Sequence, residues 1–346
     1  MSKKRKTKLI ITLTMLQSGV LGISGCSGSR HMSQAKYSVE HIRGEMKPLN
    51  CRPAGVCEGI GYYFDYYGLA SEKYVEGVAH SFGTFESEGF TIAAHIYVPE
   101  NAKGTVVVMH GYLNHCGQLK YAIRHLLESG YAVCAYDMPG HGLSTGKDAW
   151  MDNFDRYAQV MQDFKAIVAE RCPGPYNVMA FSHGACAVIQ THLEGKEDFF
   201  EKTILIAPLV RPVHWKHAQF SYRLYWAFRD SVPRIVSKNS SDKEFLDFNR
   251  FRDFLHKQRV PLIWVRALEK WNEKVHTLDA TGSKMLVIQG DKDSTVDWKY
   301  NTKFLAGKFD TKEIILKNGK HELLNETAEI KNRVFDEINS YLEFSD

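Results

Sequence analysis

The sequence predicts an α/β fold, a mostly parallel, doubly wound sheet with helices on both faces and one helical insertion late in the chain. Three observations predict it. Short apolar runs rich in β-formers recur at Thr105–Met109, Ala132–Tyr136, Asn177–Phe181, Thr203–Ala207, Met285–Gln289 and Glu313–Leu316. They are near-continuously apolar, as strands buried on both faces are. Between them, residues such as Tyr157, Val160, Met161, Phe164, Ile167 and Val168 recur at three- and four-residue steps, which places one apolar stripe on a helix ending near Pro173. The rhythm breaks once, between 209 and 281, where the pattern is helical and aromatic without a clear strand.

The N-terminus reads as an address. Lys3, Lys4, Arg5, Lys6 and Lys8 precede an apolar stretch, Leu9–Ile23, that Thr12, Thr14, Gln17 and Ser18 interrupt. A membrane span needs about 20 apolar residues. A basic region, a modest apolar region and then small residues is instead the pattern of a secretory signal, here residues 1–25. Residues 26–80 read as a tether and an irregular, aromatic-rich extension (Tyr62, Tyr63, Phe64, Tyr66, Tyr67), and residues 81–346 as the main domain. That domain opens with a hairpin, Phe82–Glu86 and Thr91–Val98, around Ser87-Glu88-Gly89. The formal charge of +4 is local: without the five leading cations, 39 basic residues face 40 acidic ones. The rest of the chain therefore gives no reason to expect a nucleic-acid partner.

Seven cysteines are present. Cys51 and Cys57 flank a Pro/Gly loop that a disulfide would suit in an exported protein. Cys134 and Cys186 fall in apolar segments and read as small hydrophobes. The alternative is that all cysteines other than Cys26 stay free. No Cys-x-x-Cys or His-Glu-x-x-His occurs, so neither a metal site nor a cofactor is expected.

The chemistry centres on Ser182. An apolar strand runs into Ala180-Phe181-Ser182-His183-Gly184, and small residues then open a helix. Such a strand-turn-helix projects the Ser Oγ from the sheet, and the helix N-terminus offers free N–H groups to a developing oxyanion. Ala180 stands where Gly-x-Ser-x-Gly has its first glycine and adds one methyl. His110-Gly111-Tyr112 ends another strand, and the backbone N–H groups of Tyr112 and His183 would form the oxyanion hole. Asp137 and His141, in Asp137-Met138-Pro139-Gly140-His141-Gly142-Leu143-Ser144, read as holding a loop below the site. Late in the chain, Gly290-Asp291-Lys292-Asp293 and Gly319-Lys320-His321-Glu322 each follow a strand. An acid and then a His give the order Ser…Asp…His, with His321 as base and Asp293 as its partner, Asp291 and Asp297 being the rival acids.

These segments together resemble the monoglyceride lipase/lysophospholipase branch of α/β-hydrolases, also catalogued with the serine aminopeptidases, over about residues 80–345. The resemblance implies the α/β-hydrolase fold with a helical cap at about 209–281 inserted after the sixth strand. It puts the nucleophile on Ser182, the acid on Asp293, the base on His321 and the oxyanion amides on Tyr112 and His183. Ile23-Ser24-Gly25-Cys26 resembles the lipobox of bacterial lipoproteins. That implies cleavage before Cys26 and a lipid on its sulfur, anchoring an exported protein to a membrane at about 0.8 kcal/mol per buried CH₂. Ser27 suits the outer membrane, if the source is Gram-negative.

The insertion bears on the substrate. Trp215, Phe220, Tyr225 and Trp226 are expected to line an acyl pocket, and Phe245, Leu246, Phe248, Phe251, Phe254 and Leu255 form a second aromatic stretch. The expected activity is ester hydrolysis of a monoacyl lipid, a lysophospholipid or monoacylglycerol, through an acyl-enzyme. The rivals are an aminopeptidase or small-ester esterase on the same triad, and a non-catalytic surface lipoprotein.

Overall fold

Each apolar run becomes a strand. The structure, a computed structural model, describes residues 35–49, 57–234 and 238–344. The chain divides into two units, Met1–Gln34 and Ala35–Asp346. The signal segment, Cys26 and Cys51 lie outside the described residues. Strands β1 (Val78–Ser87) and β2 (Phe90–Pro99) form the hairpin. Next come β3 (Thr105–Met109), β4 (Ala132–Tyr136), β5 (Tyr176–Phe181) and β6 (Lys202–Ile206). A short antiparallel pair, β7 (Ser231–Pro233) and β8 (Arg259–Pro261), precedes β9 (Lys284–Gly290) and β10 (Asp310–Leu316). Among the described residues the main sheet has the order β1-β2-β4-β3-β5-β6-β9-β10. It is antiparallel at β1–β2–β4 and parallel from β4 to β10.

Strand alternation divides the core. Val107, Met109, Cys134, Tyr136, Val178, Ala180 and Leu205 point to one face. There they meet α4 (Asp155–Arg171), α5 (Gly184–Leu193), α8 (Leu262–Thr277) and α9 (Trp298–Ala306). Val106, Val108, Val133, Ala135, Met179, Phe181, Ile204 and Ile206 point to the other face, towards α2 (Glu58–Tyr67), α3 (Lys120–Glu128) and α10 (Ala328–Glu343). Each such buried aliphatic side chain contributes about 1.5–3 kcal/mol, so both faces weld helices to one sheet.

The extension before β1 is more regular than its composition suggests. After α1 (Val39–Glu45), α2 buries Tyr63, Phe64 and Tyr67 on the face it turns to β1 and β2. The spacing of these three residues is helical, but Tyr62 and Tyr66 beside them blur the stripe. The stretch between β6 and β9 carries α6 (Trp215–Tyr225), α7 (Lys243–Asp247), a single π-helical turn (Phe248–Arg252) and α8. It also holds β7 and β8, each three residues long and too short to show a period. Phe248 and Phe254 pack on Tyr66 and Tyr67 of α2, with ring centroids 5.1–5.9 Å apart. Cys134 and Cys186 are buried, and the Cys134 and Cys172 sulfurs lie 3.4 Å apart. Among the described residues no helix is long and apolar enough to cross a membrane, and no group of three or more His, Cys, Asp or Glu is arranged to hold a metal.

Candidate active site

The carboxyl ends of β3, β5, β9 and β10 carry the side chains that matter. At the end of β5 the chain turns within one residue: Ser182 has φ +51°, in the left-handed region that costs a non-glycine residue about 1–2 kcal/mol. Neighbours hold it there. Its N–H donates to the Ile206 carbonyl (2.9 Å), and its carbonyl accepts from Leu209 N–H (3.0 Å). The turn also needs room. A Cβ at Gly184 would lie 2.7 Å from the His110 carbonyl oxygen and 2.9 Å from Met109 Cβ, so only glycine lets α5 start this close to β3.

Ser182, His321 and Asp293 come together although 139 and 28 positions separate the contacting pairs. Asp293 Oδ2 lies 2.8 Å from His321 Nδ1, and Ser182 Oγ lies 3.0 Å from His321 Nε2. An ionised carboxylate only accepts, so Nδ1 carries the proton and Nε2 is free to accept from the serine hydroxyl. All three are buried. Burial opposes charge on His321, but the charge and hydrogen bond of Asp293 outweigh it, with Glu322 adding to them, and the imidazole pKa lies above its ordinary 6.5. Burial likewise works against Asp293. The His321 charge and hydrogen bond, aided by bonds from Thr295 N–H and Gln289, still hold its carboxyl below the ordinary 3.8. Of the rival acids, Asp291 accepts from Asn318 N–H (2.7 Å), and Asp297 pairs with Arg211 (3.1 Å). Neither partners His321.

Tyr112 and His183 flank Ser182 from two loops. Among the described residues, neither backbone N–H donates to another protein group. The His183 ring is buried between Tyr112, Phe154, Tyr157 and Trp264, away from the triad, and burial, with His141 and His110 nearby, drives its pKa well below 6.5. His110 accepts the Met138 N–H at Nε2 (2.9 Å), so its Nδ1–H donates to the Gly111 carbonyl (2.8 Å). Burial lowers its pKa to about 3. It ties the turn after β3 to the loop after β4. In that second loop Asp137 accepts from Cys116 N–H (2.7 Å) and Leu143 N–H (2.8 Å). Gly142 (φ +49°) lies so close that a Cβ there would meet Asp137 Oδ2 at 2.1 Å. His141 is buried with Nδ1 on the Pro139 carbonyl (2.9 Å).

Ser182 and His321 open onto a cavity of about 240 Å³. Tyr112, Leu209, Leu246, Val260, Trp264 and Val296 give it apolar walls, and Asn114, Arg234, Asn239, Asn249 and Glu322 a polar side. The expected aromatics are not among these lining residues, which is a correction. Phe220 and Trp226 are 66% and 43% exposed, Tyr225 is half-buried, and Trp215 packs against the core of the sheet. The cause lies in how α6 docks. Gln219 and Arg223 bind Glu269 of α8 (2.8 and 3.0 Å) and Tyr222 is buried, which turns Phe220 and Leu224 outwards. Among the described residues, the insertion aromatic that does wall the cavity is Trp264, stacked on Tyr112 with ring centroids 3.7 Å apart. Its signal was in the sequence: Trp264, Ala267, Leu268, Trp271 and Val275 keep helical spacing, and all are buried.

A strained serine on a strand-turn-helix, hydrogen-bonded to a histidine that an aspartate orients, defines a serine hydrolase of the α/β-hydrolase fold. The comparisons agree. The family profile described as "Serine aminopeptidase, S33" matches residues 100–328, and the chain belongs to that family. The human protein named monoglyceride lipase is 25% identical over 252 residues, covering 69% of this chain and 82% of that one. The monoacylglycerol lipase of Mycolicibacterium smegmatis is 23% identical over 266 residues, covering 73% and 93%. A solved structure of a soluble variant of monoglyceride lipase from Saccharomyces cerevisiae superimposes with a TM-score of 0.66 at 16% identity, covering 75% of this chain and 94% of that one.

Proposed function

We propose that the protein hydrolyses carboxylic esters of monoacyl glycerolipids, monoacylglycerols first among them, through an acyl-enzyme on Ser182. The observation that carries the reading is the Ser182–His321–Asp293 chain of hydrogen bonds at 3.0 and 2.8 Å, opening onto a cavity with apolar walls and a polar side. Ser182 Oγ attacks the ester carbonyl as its proton passes to His321 Nε2. Asp293 stabilises the imidazolium, and the amides of Tyr112 and His183 receive the oxyanion. Collapse breaks the C–O bond, and His321 returns the proton to the leaving alcohol. Water repeats the sequence on the acyl-enzyme and frees the acid.

The relatives' names and the cavity both favour a glycerol ester. Free hydroxyls suit Asn114, Arg234, Asn239 and Asn249, and the first acyl carbons suit Leu246, Val260 and Trp264. At about 240 Å³ the cavity is smaller than the roughly 300 Å³ at which ligand pockets usually begin, so a long acyl tail has to leave through its mouth. Export with a lipid on Cys26 would hold the enzyme beside such substrates. The outward Phe220, Leu224 and Phe228, at 66, 53 and 84% exposure, offer a second, apolar contact with a membrane.

Fluorophosphonate labelling that Ser182→Ala abolishes is the first expected result. Monoacylglycerols, lysophospholipids, short p-nitrophenyl esters and aminoacyl amides then compete as substrates. Turnover of the amides alone sinks the ester reading, and absence of any labelling leaves only a surface scaffold. Metabolic lipid labelling, lost in Cys26→Ser, tests the anchor.

A further inference from the structure

The residue beside the proposed base is a second buried carboxylate. Glu322 is 2% exposed and lines the cavity with Ser182 and His321. Its Oε1 accepts from Asn114 Nδ2 (3.2 Å) and Asn239 Nδ2 (3.3 Å), and its Oε2 from Asn114 Nδ2 and Asn325 Nδ2 (both 3.4 Å). Three neutral amides hold the charge without cancelling it. Arg234 faces the same cavity, yet among the described residues no carboxylate lies within ion-pair distance of it.

The grip joins three parts of the chain. Asn114 belongs to the loop that presents the Tyr112 amide, Asn239 to the insertion, and Asn325 to the turn before α10. The same stretch of insertion is fastened on both sides of His321. Glu322 N–H donates to the Asn239 carbonyl (2.9 Å) and Lys320 Nζ to the Ser240 carbonyl (2.9 Å). Ser240 Oγ donates to the Asn325 carbonyl and Ser241 N–H to Glu326 Oε2, both at 2.9 Å.

We infer that Glu322 is a positioning residue for the base: held by Asn114, Asn239 and Asn325, it locks the His321 loop to the oxyanion loop and the insertion, and keeps a second negative charge beside the imidazole. The inference rests on the serine-hydrolase reading above. The groups facing His321 are Asp293, Glu322 and the Phe181 ring, and Arg234 is the cation that faces Glu322. A glutamine would fill the same space without the charge, with the Asn239 amide flipping to accept from its new NH₂, so the pH limb of Glu322→Gln reads the charge while kcat reads the charge and the grip together.

The test is the pH dependence of kcat and kcat/KM on a p-nitrophenyl ester, with Tm measured in parallel, for the full chain and for Glu322→Gln, Glu322→Asp and Asn239→Ala. In Glu322→Gln the acid limb moves to lower pH, because the imidazolium loses a favourable neighbour, and kcat falls while KM changes little. Glu322→Asp keeps the charge, so its limb stays near the parent's while kcat falls. Asn239→Ala lowers kcat by about 10- to 10²-fold, the scale of a misplaced catalytic group, with Tm changed by a few degrees. An unmoved limb in Glu322→Gln, or parental kcat in Asn239→Ala, overturns the inference. The second arm decides the matter even where Glu322→Gln does not fold. A parent chain with neither ester turnover nor fluorophosphonate labelling overturns the serine-hydrolase reading instead.

Discussion

Replacing Asp293 with asparagine exchanges one oxygen for an NH₂, and the structure dictates which. Oδ1 accepts the backbone N–H groups of Thr295 (2.8 Å) and Val296 (3.1 Å). Both can only donate, so the asparagine must keep its carbonyl oxygen there. Its NH₂ then takes the place of Oδ2, against His321 Nδ1 (2.8 Å) and Gln289 Nε2 (3.0 Å). Gln289 meets the new NH₂ by flipping its amide, which brings its partnerless Oε1 round and gives up the bond from Nε2 to the Gly290 carbonyl (3.1 Å). His321 cannot adapt without harm. Facing a donor, Nδ1 becomes the acceptor and the proton moves to Nε2, which then donates to Ser182 Oγ and no longer takes its proton. A wrong tautomer of this kind costs on the order of 10⁴ in kcat, about 5 kcal/mol of transition-state stabilisation. The assay is kcat on a p-nitrophenyl ester at pH 8 with the rate of fluorophosphonate labelling, and Tm confirming the fold. Asp291→Asn, whose carboxylate accepts from Asn318 N–H, is the control and should keep near-parental activity. A fall of less than about tenfold in Asp293→Asn would refute the tautomer argument.

Two further outcomes test the supports of the site. Asp137→Asn can satisfy only one of the two buried N–H groups, Cys116 and Leu143, that the carboxylate now holds. It should lower stability by about 2 kcal/mol and Tm by about 4 °C, seen by thermal melting. Ala180→Gly restores the common elbow motif. It should lower stability by about 0.5–1 kcal/mol with no gain in kcat, and a faster enzyme would show that the Ala180 methyl strains the turn.

The sheet was legible in the sequence where strands are buried on both faces. Thr105–Met109 and Ala132–Tyr136 begin and end as expected. β10 starts three residues early, at Asp310, because an edge strand admits polar residues such as Asp310, Thr311 and Lys312 and so shows no apolar run there. The hydrogen-bonded cluster of Ser182, Asp293 and His321 was legible because each residue follows a strand in a short, glycine-marked loop. Apart from Trp264, the cavity walls were not. Aromatic content cannot tell which face of an insertion helix turns inwards, and Glu269 on α8 makes that choice for α6. Nor was Glu322 legible, since its partner Asn114 lies 208 positions away.

The titrations of the triad set activity against stability. Asp293 has a lowered pKa, so its contribution to stability is present above its unfolded value near 3.8 and is lost as pH falls through the folded value. His321 has a raised pKa, so its contribution is complete below 6.5 and is lost as pH rises through the folded value. Together they stabilise the fold most between about pH 4 and pH 6.5. Catalysis needs the neutral imidazole, and therefore a pH above the raised value. The site thus works where its own ion pair has stopped contributing. Tm should differ most between the parent and His321→Gln near pH 5 to 6, and the gap should shrink towards pH 8 as kcat/KM of the parent rises. A gap that stays constant from pH 5 to pH 8 would show that folding leaves the His321 pKa unshifted, so that Asp293 does not stabilise the imidazolium.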